Sequence, residues 1–510
     1  MKHFAVVFLC SLLAVTAAAQ TNPSLVATNV VPNGRKMSLQ DCIQQALVHN
    51  LDVQIQRVYP EIDLYKLHAS YGGYDPVLTF SGSHLVNVQA AGFDNNGRPL
   101  PAETIKDDSF NSDISGELPF TGLQYDFNGT IDQKHFLDYD TNGLPIRTRS
   151  SGGSIGVTLT QPLLKNFWID SARMTIQLNR SQLNYSAQGF RYQVITSVTA
   201  VQNAYYELIY ALEFVKVQQE ALDLSQTQLD QDQQRLTIGT LAQLSVEQDK
   251  SQVAQNQANL ITAQSTLETD ENTLKNLITD NYSDLHNADI QPRETLSAPL
   301  VLFDLQDSWS RGMAERPDLI QYRLNVQQAG IQLKFDRNQL FPELDVIGTY
   351  GWNGAGSVYE GTFGEINQGI LPTYSIGGKL SVPLADQSAR NTFKSQKATL
   401  KQVVLQLKQY EQNVLVGIDN AVKTAQSDYE SVDATRQARI YAEAALDAEQ
   451  KTYSVGKATT FEVLTYQNNL TAARGQEIRA LANYEEALAN LYAAEGSTLD
   501  RLGINIAATP

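Results

Sequence analysis

Cysteine is almost absent from this chain, whose 510 residues include only two. Cys10 lies within an apolar run over residues 4–15, which follows Lys2 and precedes three alanines. This layout predicts a cleavable signal peptide over residues 1–19. The mature chain then retains Cys42 alone, so no intramolecular disulfide can form. We expect an exported protein that folds without one.

Long apolar runs and catalytic motifs are also missing. No segment after residue 19 has about 18 apolar residues in succession, which excludes a membrane-spanning helix and leaves strands as the only route into a membrane. The six histidines have no second ligand at metal-site spacing, so we expect no metal site, and we find no nucleophile motif, phosphate loop or acid/base pair. The excess of 55 acidic over 38 basic residues argues against nucleic acid as a partner. We therefore expect no enzyme and no cofactor.

Two short segments look like the tips of helical hairpins. A long helical pattern runs into Thr452–Thr465 and another leaves it, and Gly456 can adopt the left-handed backbone that ends a helix. Thr459 or Thr460 can cap the helix that follows. A second copy of this arrangement occurs at Leu236–Ser245, where Gly239 occupies the position of Gly456.

Short segments that alternate in polarity separate the helical patterns. They occur between residues 76 and 162, and again between residues 342 and 383, where two strands flank a Gly-rich loop. Each β region precedes a long helical pattern with apolar residues at heptad spacing, the first starting at Asp170-Ser171 and the second at Asp386.

The order of elements indicates a duplication. A first repeat over residues 20–280 comprises a helix, the β region 76–162, a long helix, the tip at Gly239 and a helix. A connector over 281–302 leads to a second repeat over 303–496, with the β hairpin 342–383 and the tip at Gly456, and a tail follows over 497–510. Two hairpins from one chain are too few to close a barrel, so several copies must close their strands together.

Several motifs occur in a fixed order along nearly the whole mature chain, some of them twice. They are the segment Ser38–Leu47 with Asn50, Asp75-Pro76 with its counterpart Pro342, Gln161-Pro162, and Tyr453–Gly456 with Gly239. On these motifs the chain resembles the TolC-like family of outer-membrane efflux and export channels.

The resemblance implies a mainly α-helical fold with a transmembrane β-barrel portion. Duplicated long helical hairpins of a homotrimer would form a 12-helix periplasmic barrel, continued by a 12-stranded β-barrel in the outer-membrane lipid. The function it implies is a passive exit duct for small molecules or exported protein in a tripartite efflux or type I secretion system. Its implied partners are a periplasmic adaptor protein and an inner-membrane transporter of the RND or ABC type.

Two sets of site residues follow from the resemblance. The adaptor would dock on the tips at Ile238, Gly239, Thr240, Val455, Gly456 and Lys457. The aperture would be lined by Glu462, six residues after the second tip glycine, and by Thr465, where the family has a second acidic residue. The family's other tip charges are replaced here by Ser245 and Ala458. Should Glu462 not line the aperture, Glu247 and Asp249 are the next candidates.

Alternatives remain open from the sequence. A periplasmic adaptor also has a long helical hairpin, but normally a single one inside a β-rich lipoyl-like region. An ordinary soluble coiled coil does not account for β regions at matched places in both halves. The first β region is enlarged around Glu117–Gly122, and these extra strands could join the barrel or fold outside it.

Overall fold

The structure, a computed structural model, describes residues 35–505 apart from 91, 94, 95, 100 and 140–143. The predicted signal peptide lies outside the described residues. The helices are α1 (Leu39–His49), α2 (Leu51–Ser70), α3 (Ser171–Thr237), α4 (Gln243–Ile278), α5 (Tyr282–Leu285), α6 (Leu305–Glu315), α7 (Pro317–Asn338), α8 (Tyr359–Gln368), α9 (Gln387–Ser454), α10 (Thr460–Glu495) and α11 (Thr498–Arg501). The strands are β1 (Arg35–Met37), β2 (Val77–Gln89), β3 (Glu103–Glu117), β4 (Gln124–Tyr139), β5 (Pro145–Pro162), β6 (Ile290–Pro292), β7 (Glu343–Gly356) and β8 (Leu371–Ser381).

Two helices, α3 and α9, have 67 and 68 residues and are each about 100 Å long. Helix α3 begins where the sequence predicts, because the Asp170 side chain accepts a 2.7 Å hydrogen bond from the backbone N–H of Arg173. Shorter helices flank each long helix, with α2 and α4 packed on α3, and α7 and α10 packed on α9. In the described part of the chain, every helix is too short or too polar to cross a membrane.

The apolar core lies between these helices and has two clusters. In the first, α3 contributes Val194, Val198, Tyr205 and Leu208, which pack against α1 and the end of α4. In the second, α9 packs against α10 through residues that include Ile418 and Tyr484. Both clusters follow the heptad stripes of the long helices, as expected for helices packed side by side.

The duplication is visible in the backbone where each half bends from one short helix into the next. Asn50 joins α1 to α2 with φ −63° and ψ 123°, and Arg316 joins α6 to α7 with φ −61° and ψ 119°. Asn50 caps α2 with its side chain, whereas at Arg316 the following Pro317 occupies the first turn and lacks an N–H to satisfy. The same bend is therefore made with different chemistry.

Six strands form one antiparallel sheet in the order β2-β3-β4-β5-β7-β8. Strands β3 and β4 come from the enlarged first β region and pair with each other and with β2 and β5 along their length. The extra strands therefore join the main sheet, a question that the sequence left open. The sheet of one chain has six strands, whereas the 12-stranded trimeric barrel implied by the resemblance would need four from each chain.

The two faces of this sheet differ in polarity. One row of directly paired residues crosses all six strands and is entirely apolar or aromatic: Leu78, Ile114, Phe127, Val157, Tyr350 and Tyr374. The adjacent row, on the opposite face, is polar or glycine: Thr79, Asp113, Asn128, Gly156, Gly351 and Thr373. We call the face that carries the first row the apolar face, and the face that carries the second row the polar face. Strands with this alternation suit a sheet that separates an apolar phase from water.

The segment between β7 and β8 differs from the prediction. The sequence indicates a Gly-rich loop, but the structure has helix α8 there, folded back over the apolar face. Gly153 and Gly354 pair directly beneath it, and a Cβ added to Gly354 would lie 2.4 Å from the carbonyl oxygen of Thr362 in α8. Tyr359 donates a 3.2 Å hydrogen bond to the carbonyl oxygen of Asp108. The prediction was wrong because contacts with distant strands create this helix.

Candidate functional site: the helical tips

The two tips have the same backbone. Gly239 and Gly456 adopt φ +79° and +75°, in the left-handed region that favours glycine. The Gly239 N–H donates to the carbonyl of Leu236, and the Thr240 N–H donates to that of Arg235, both at 2.9 Å. Gly456 and Lys457 donate in the same pattern to Tyr453 at 3.0 Å and Thr452 at 3.1 Å. Both turns are therefore Schellman motifs that satisfy the last carbonyls of the long helices.

The predicted tip residues are all exposed in the chain: Ile238, Gly239, Thr240, Val455, Gly456 and Lys457. Ile238 is 74% exposed and Val455 is 68% exposed, although both are aliphatic. Leu244 and Phe461, in the first turns of the helices that leave the tips, are 70% and 65% exposed. Sequence analysis missed these two residues. All four apolar side chains are exposed at the tip turns or in the first helical turn beyond them, where exposed apolar surface marks a candidate interaction site.

Glu462 and Thr465 are both exposed and lie three residues apart on one face of α10. The Glu462 carboxylate also has a local role, because it accepts a 2.7 Å hydrogen bond from the Thr459 N–H. The Thr459 hydroxyl in turn accepts from the Glu462 N–H at 3.3 Å. This reciprocal capping box starts α10. The hydrogen bonds from Thr459 hold the pKa of Glu462 below its usual value.

The two reserve candidates differ from each other. Glu247 is exposed and forms a 3.0 Å salt bridge with Lys250 on the same helix. Asp249 is 1% exposed and lies inside the protomer, so it does not line a surface. Its proposed place at an aperture is therefore wrong.

A buried polar contact joins the two hairpins just behind the tips. Asp232 of α3 accepts hydrogen bonds of 2.7 Å from the Tyr453 hydroxyl of α9 and 3.3 Å from the Thr460 hydroxyl of α10. The Arg235 guanidinium lies over the Tyr453 ring at 4.6 Å. Sequence analysis missed Asp232. A signal was present, since Asp232 follows Leu229 by three residues and so continues the heptad stripe with a charged residue.

The fold, a duplicated array of long helical hairpins attached to one antiparallel sheet, is similar to that of outer-membrane channels of known structure. The outer membrane efflux protein family model matches residues 139–279 and 310–497, which is more than half of the chain, and the chain belongs to this family.

Relatives and solved structures agree with the family. Outer membrane protein TolC of Escherichia coli K12 is 24% identical over 388 residues, covering 74% of this chain and 75% of TolC. The outer membrane protein VceC of Vibrio cholerae has a TM-score of 0.64 at 16% identity, covering 90% of this chain and 96% of VceC. The open-state channel MtrE of Neisseria gonorrhoeae has a TM-score of 0.62 at 15% identity, covering 94% of this chain and 95% of MtrE.

Membership decides between the functional alternatives. The family and its relatives are outer-membrane efflux channels, so the chain is an outer-membrane exit duct and the periplasmic adaptor is excluded. Members of the family are channels and not enzymes, in agreement with the expectation from the sequence.

Proposed function

We propose that three copies of this chain form one passive duct, in which their sheets close into a transmembrane β-barrel and their helical hairpins continue it as a tube across the periplasm. The observation that carries this proposal is the sheet, which has one apolar face, one polar face and, among the described residues, two edges without a partner strand. In lipid, unpaired N–H and C=O groups at a strand edge are too unfavourable to persist, so the edges must pair with further copies.

The direction of the strands supports closure. Strand β2 runs away from the helices and β8 runs back toward them, so β8 of one copy can pair with β2 of the next in the antiparallel manner used throughout the sheet. Every residue of β2 and β8 is exposed in the single chain, as expected for strands that await a partner. Three copies of six strands give an 18-stranded barrel in place of the 12 strands implied by the resemblance. Barrels of about 16–18 strands enclose an aqueous channel.

The polarity of the two sheet faces supports an assignment of the inside and the outside of the proposed barrel. The apolar row that contains Phe127 and Tyr374 would contact lipid, and the polar row that contains Asp113 and Asn128 would line water. Helix α8 packs on the apolar face, so it would lie outside the barrel near its far rim and leave the lumen open.

The helical end would complete a tripartite system. A periplasmic adaptor would dock on the exposed tip residues Ile238, Leu244, Val455 and Phe461, with Gly239 and Gly456 setting the shape of the turns. The adaptor would connect the duct to an inner-membrane transporter of the RND or ABC type. Around the threefold axis, the Glu462 side chains would form a ring at the aperture.

Cysteine cross-linking between copies tests this assembly. Cys42 is buried, so it should not cross-link with the introduced cysteines. Ser81→Cys on β2 combined with Thr373→Cys, Ser375→Cys or Gly377→Cys on β8 should give covalent dimers and trimers for at least one pair in outer-membrane fractions. The control pairs Ser81→Cys with Ser154→Cys of the central strand β5, and it should give none.

Two outcomes contradict the proposal. One is recovery of the mature protein as a soluble monomer. The other is failure of all three edge pairs to cross-link when the protein is in the outer membrane. Electron microscopy of the detergent-extracted trimer would then count the strands directly, and a 12-stranded barrel would show that β3 and β4 leave the sheet on assembly.

A further inference from the structure

Two carboxylates face each other inside the protomer behind the first tip. Asp232 of α3 and Asp249 of α4 are 0% and 1% exposed. Asp232 is seven residues before Gly239 and Asp249 is ten residues beyond it. Each helix of the hairpin therefore contributes one acid at a similar distance from the tip. Acidic side chains are almost never buried this completely unless they are paired.

The two carboxylates differ in what holds them. Asp232 accepts from the Tyr453 hydroxyl, from Thr460, and from the Gln228 amide at 2.9 Å. Neither carboxylate oxygen of Asp249 has a hydrogen-bond partner among the described residues. A buried acceptor without a donor is strongly unfavourable, and the simplest donor available to Asp249 is a proton shared with Asp232.

The charges around the pair lead to the same conclusion. The titratable groups that the structure places against it are Arg235 of α3 and Tyr453 of α9, while α10 contributes the uncharged Thr460. The Arg235 guanidinium is 3.9 Å from Asp232 and can neutralise one carboxylate. One negative charge is then left over. Burial, with the adjoining charge and hydrogen bonding of Asp232, raises the pKa of Asp249 to about 7.

We propose that Asp232 and Asp249 form a binding site for one proton, and that release of this proton loosens the junction of the two hairpins behind the tips. When the proton is bound, it forms an O–H···O⁻ bond between the acids, and Asp232 remains free to accept from Tyr453. When it leaves for bulk water, two carboxylates repel each other at the position where α3, α4, α9 and α10 meet.

The consequence for transport rests on the proposed function. In an assembled duct, the junction at Tyr453 and Thr460 ties the second hairpin to the first, so a rise in pH through about 7 would free the second tip. Because Asp232 on α3 and Asp249 on α4 belong to the same hairpin, their repulsion acts on the second hairpin through Asp232, which it would displace from the Tyr453 and Thr460 hydroxyls.

The proton can be detected directly on the full-length mature protein in detergent. Infrared titration should show a protonated carboxyl band that disappears as pH rises through about 7, and Asp249→Asn should remove this component. Asp232→Asn is a second variant, which should shift this component to lower pH because Asp249 keeps its burial but loses the adjoining charge and hydrogen bonding of Asp232. Glu486 needs a separate control, because burial raises its pKa to about 7 as well, so Glu486→Gln should remove a different component and leave the Asp249 component in place.

Loosening is measured by hydrogen exchange of residues 449–466, corrected for the intrinsic effect of pH. Exchange should rise severalfold across the titration in the parent. It should rise equally in the control Glu247→Gln, which alters an exposed acid two residues before Asp249. It should be independent of pH in Asp249→Asn. Unchanged infrared titration and unchanged pH dependence in both Asp variants would overturn the proposal.

Replacement of sodium by choline at constant ionic strength separates a proton from a metal cation. A titration that shifts with this replacement would show that the site holds a cation instead. These measurements do not require a conducting channel, so failure of the duct assembly would appear in the cross-linking experiment and leave this result standing.

Discussion

The two tips share a turn but differ in the helices behind it. With an offset of 217, Gly239 corresponds to Gly456, Asp232 to Glu449, Ser245 to Glu462 and Asp249 to Tyr466. The buried acids belong to the first hairpin alone, whereas the tyrosine that contacts them and the capping box belong to the second. Duplication thus preserved the part of the hairpin that fixes its backbone, and divergence gave each hairpin one half of the contact that joins them.

The sheets differ more than the tips. The first repeat supplies four strands of the six-stranded sheet, β2 to β5, whereas the second supplies β7 and β8 with the helix α8 between them. A sheet can gain a hairpin and keep its existing strand pairs, so a β region can change in length. A tip turn must supply hydrogen bonds to the last carbonyls of its helix, so its backbone is more tightly constrained. This difference explains why the β regions diverged in length and the tips did not.

The largest effect is expected from replacing the tip glycines. Gly456→Val forces a β-branched residue into a left-handed backbone at about 1–3 kcal/mol, and no atom lies within 4 Å of the added Cβ, so the strain is purely local. We expect export in a complemented strain to be abolished while outer-membrane trimers persist. Gly239→Val should also abolish export and leave the trimers in place if both tips dock the adaptor.

The matched control is Gly456→Asn, because asparagine tolerates this backbone conformation. It should retain most of the export activity. Full export by Gly456→Val would mean that the turn is not a docking element, and loss in only one of the two Val variants would show that the tips are not equivalent.

Long elements with one dominant period were predictable from the sequence. Helix α3 begins at Ser171, where the sequence predicts it, because the capping Asp170 directly precedes the apolar stripe. The alternation between residues 76 and 162 indicated strands but not their bounds, because β3 begins at Glu103 although Lys106, Asp107 and Asp108 interrupt the alternation. There the pairing with β2 and β4 sets the length of the strand, and no local pattern reports it.

Features created by contacts between distant segments were not predictable. Helix α8 contains Gly361 and Gly364, which lower helix propensity, and it exists because Gly153 and Gly354 leave room for it. In the same way, the Asp232–Asp249 pair requires knowledge of how α3 faces α4. The tip residues Gly239 and Gly456 were found because a turn of this kind needs glycine whatever surrounds it.

A smaller effect is expected from the caps. Thr459 caps α10 with its side chain, whereas Ala242 at the start of α4 makes no side-chain cap. Thr459→Ala should destabilise the first turn of α10 by about 1 kcal/mol, and Ala242→Asp should stabilise that of α4 by a similar amount. Hydrogen exchange of residues 460–465 and 243–248 would measure both. Equal exchange in the parent's two segments would contradict this difference between the tips.

The smallest effect is expected at the proposed aperture, for which Glu462 is the candidate in the second repeat and Ser245 stands at the equivalent position of the first. A ring of three exposed carboxylates attracts multivalent cations, so a trivalent cation on the periplasmic side should block single channels in planar bilayers. Glu462→Gln keeps the capping box, which accepts Gln as well as Glu, and removes only the charge. We expect it to weaken the block severalfold.

Two further variants test whether Glu462 is responsible for the block by the trivalent cation. Thr465→Glu places a second acid on the same face of α10 and should strengthen the block, whereas Glu247→Gln, whose carboxylate is already paired with Lys250, should leave it unchanged. Equal block in Glu462→Gln and the parent would show that this face of α10 points away from the axis. The exposed face of α4 around Glu247 would then have to line the aperture, and Glu247→Gln would become the variant that weakens the block.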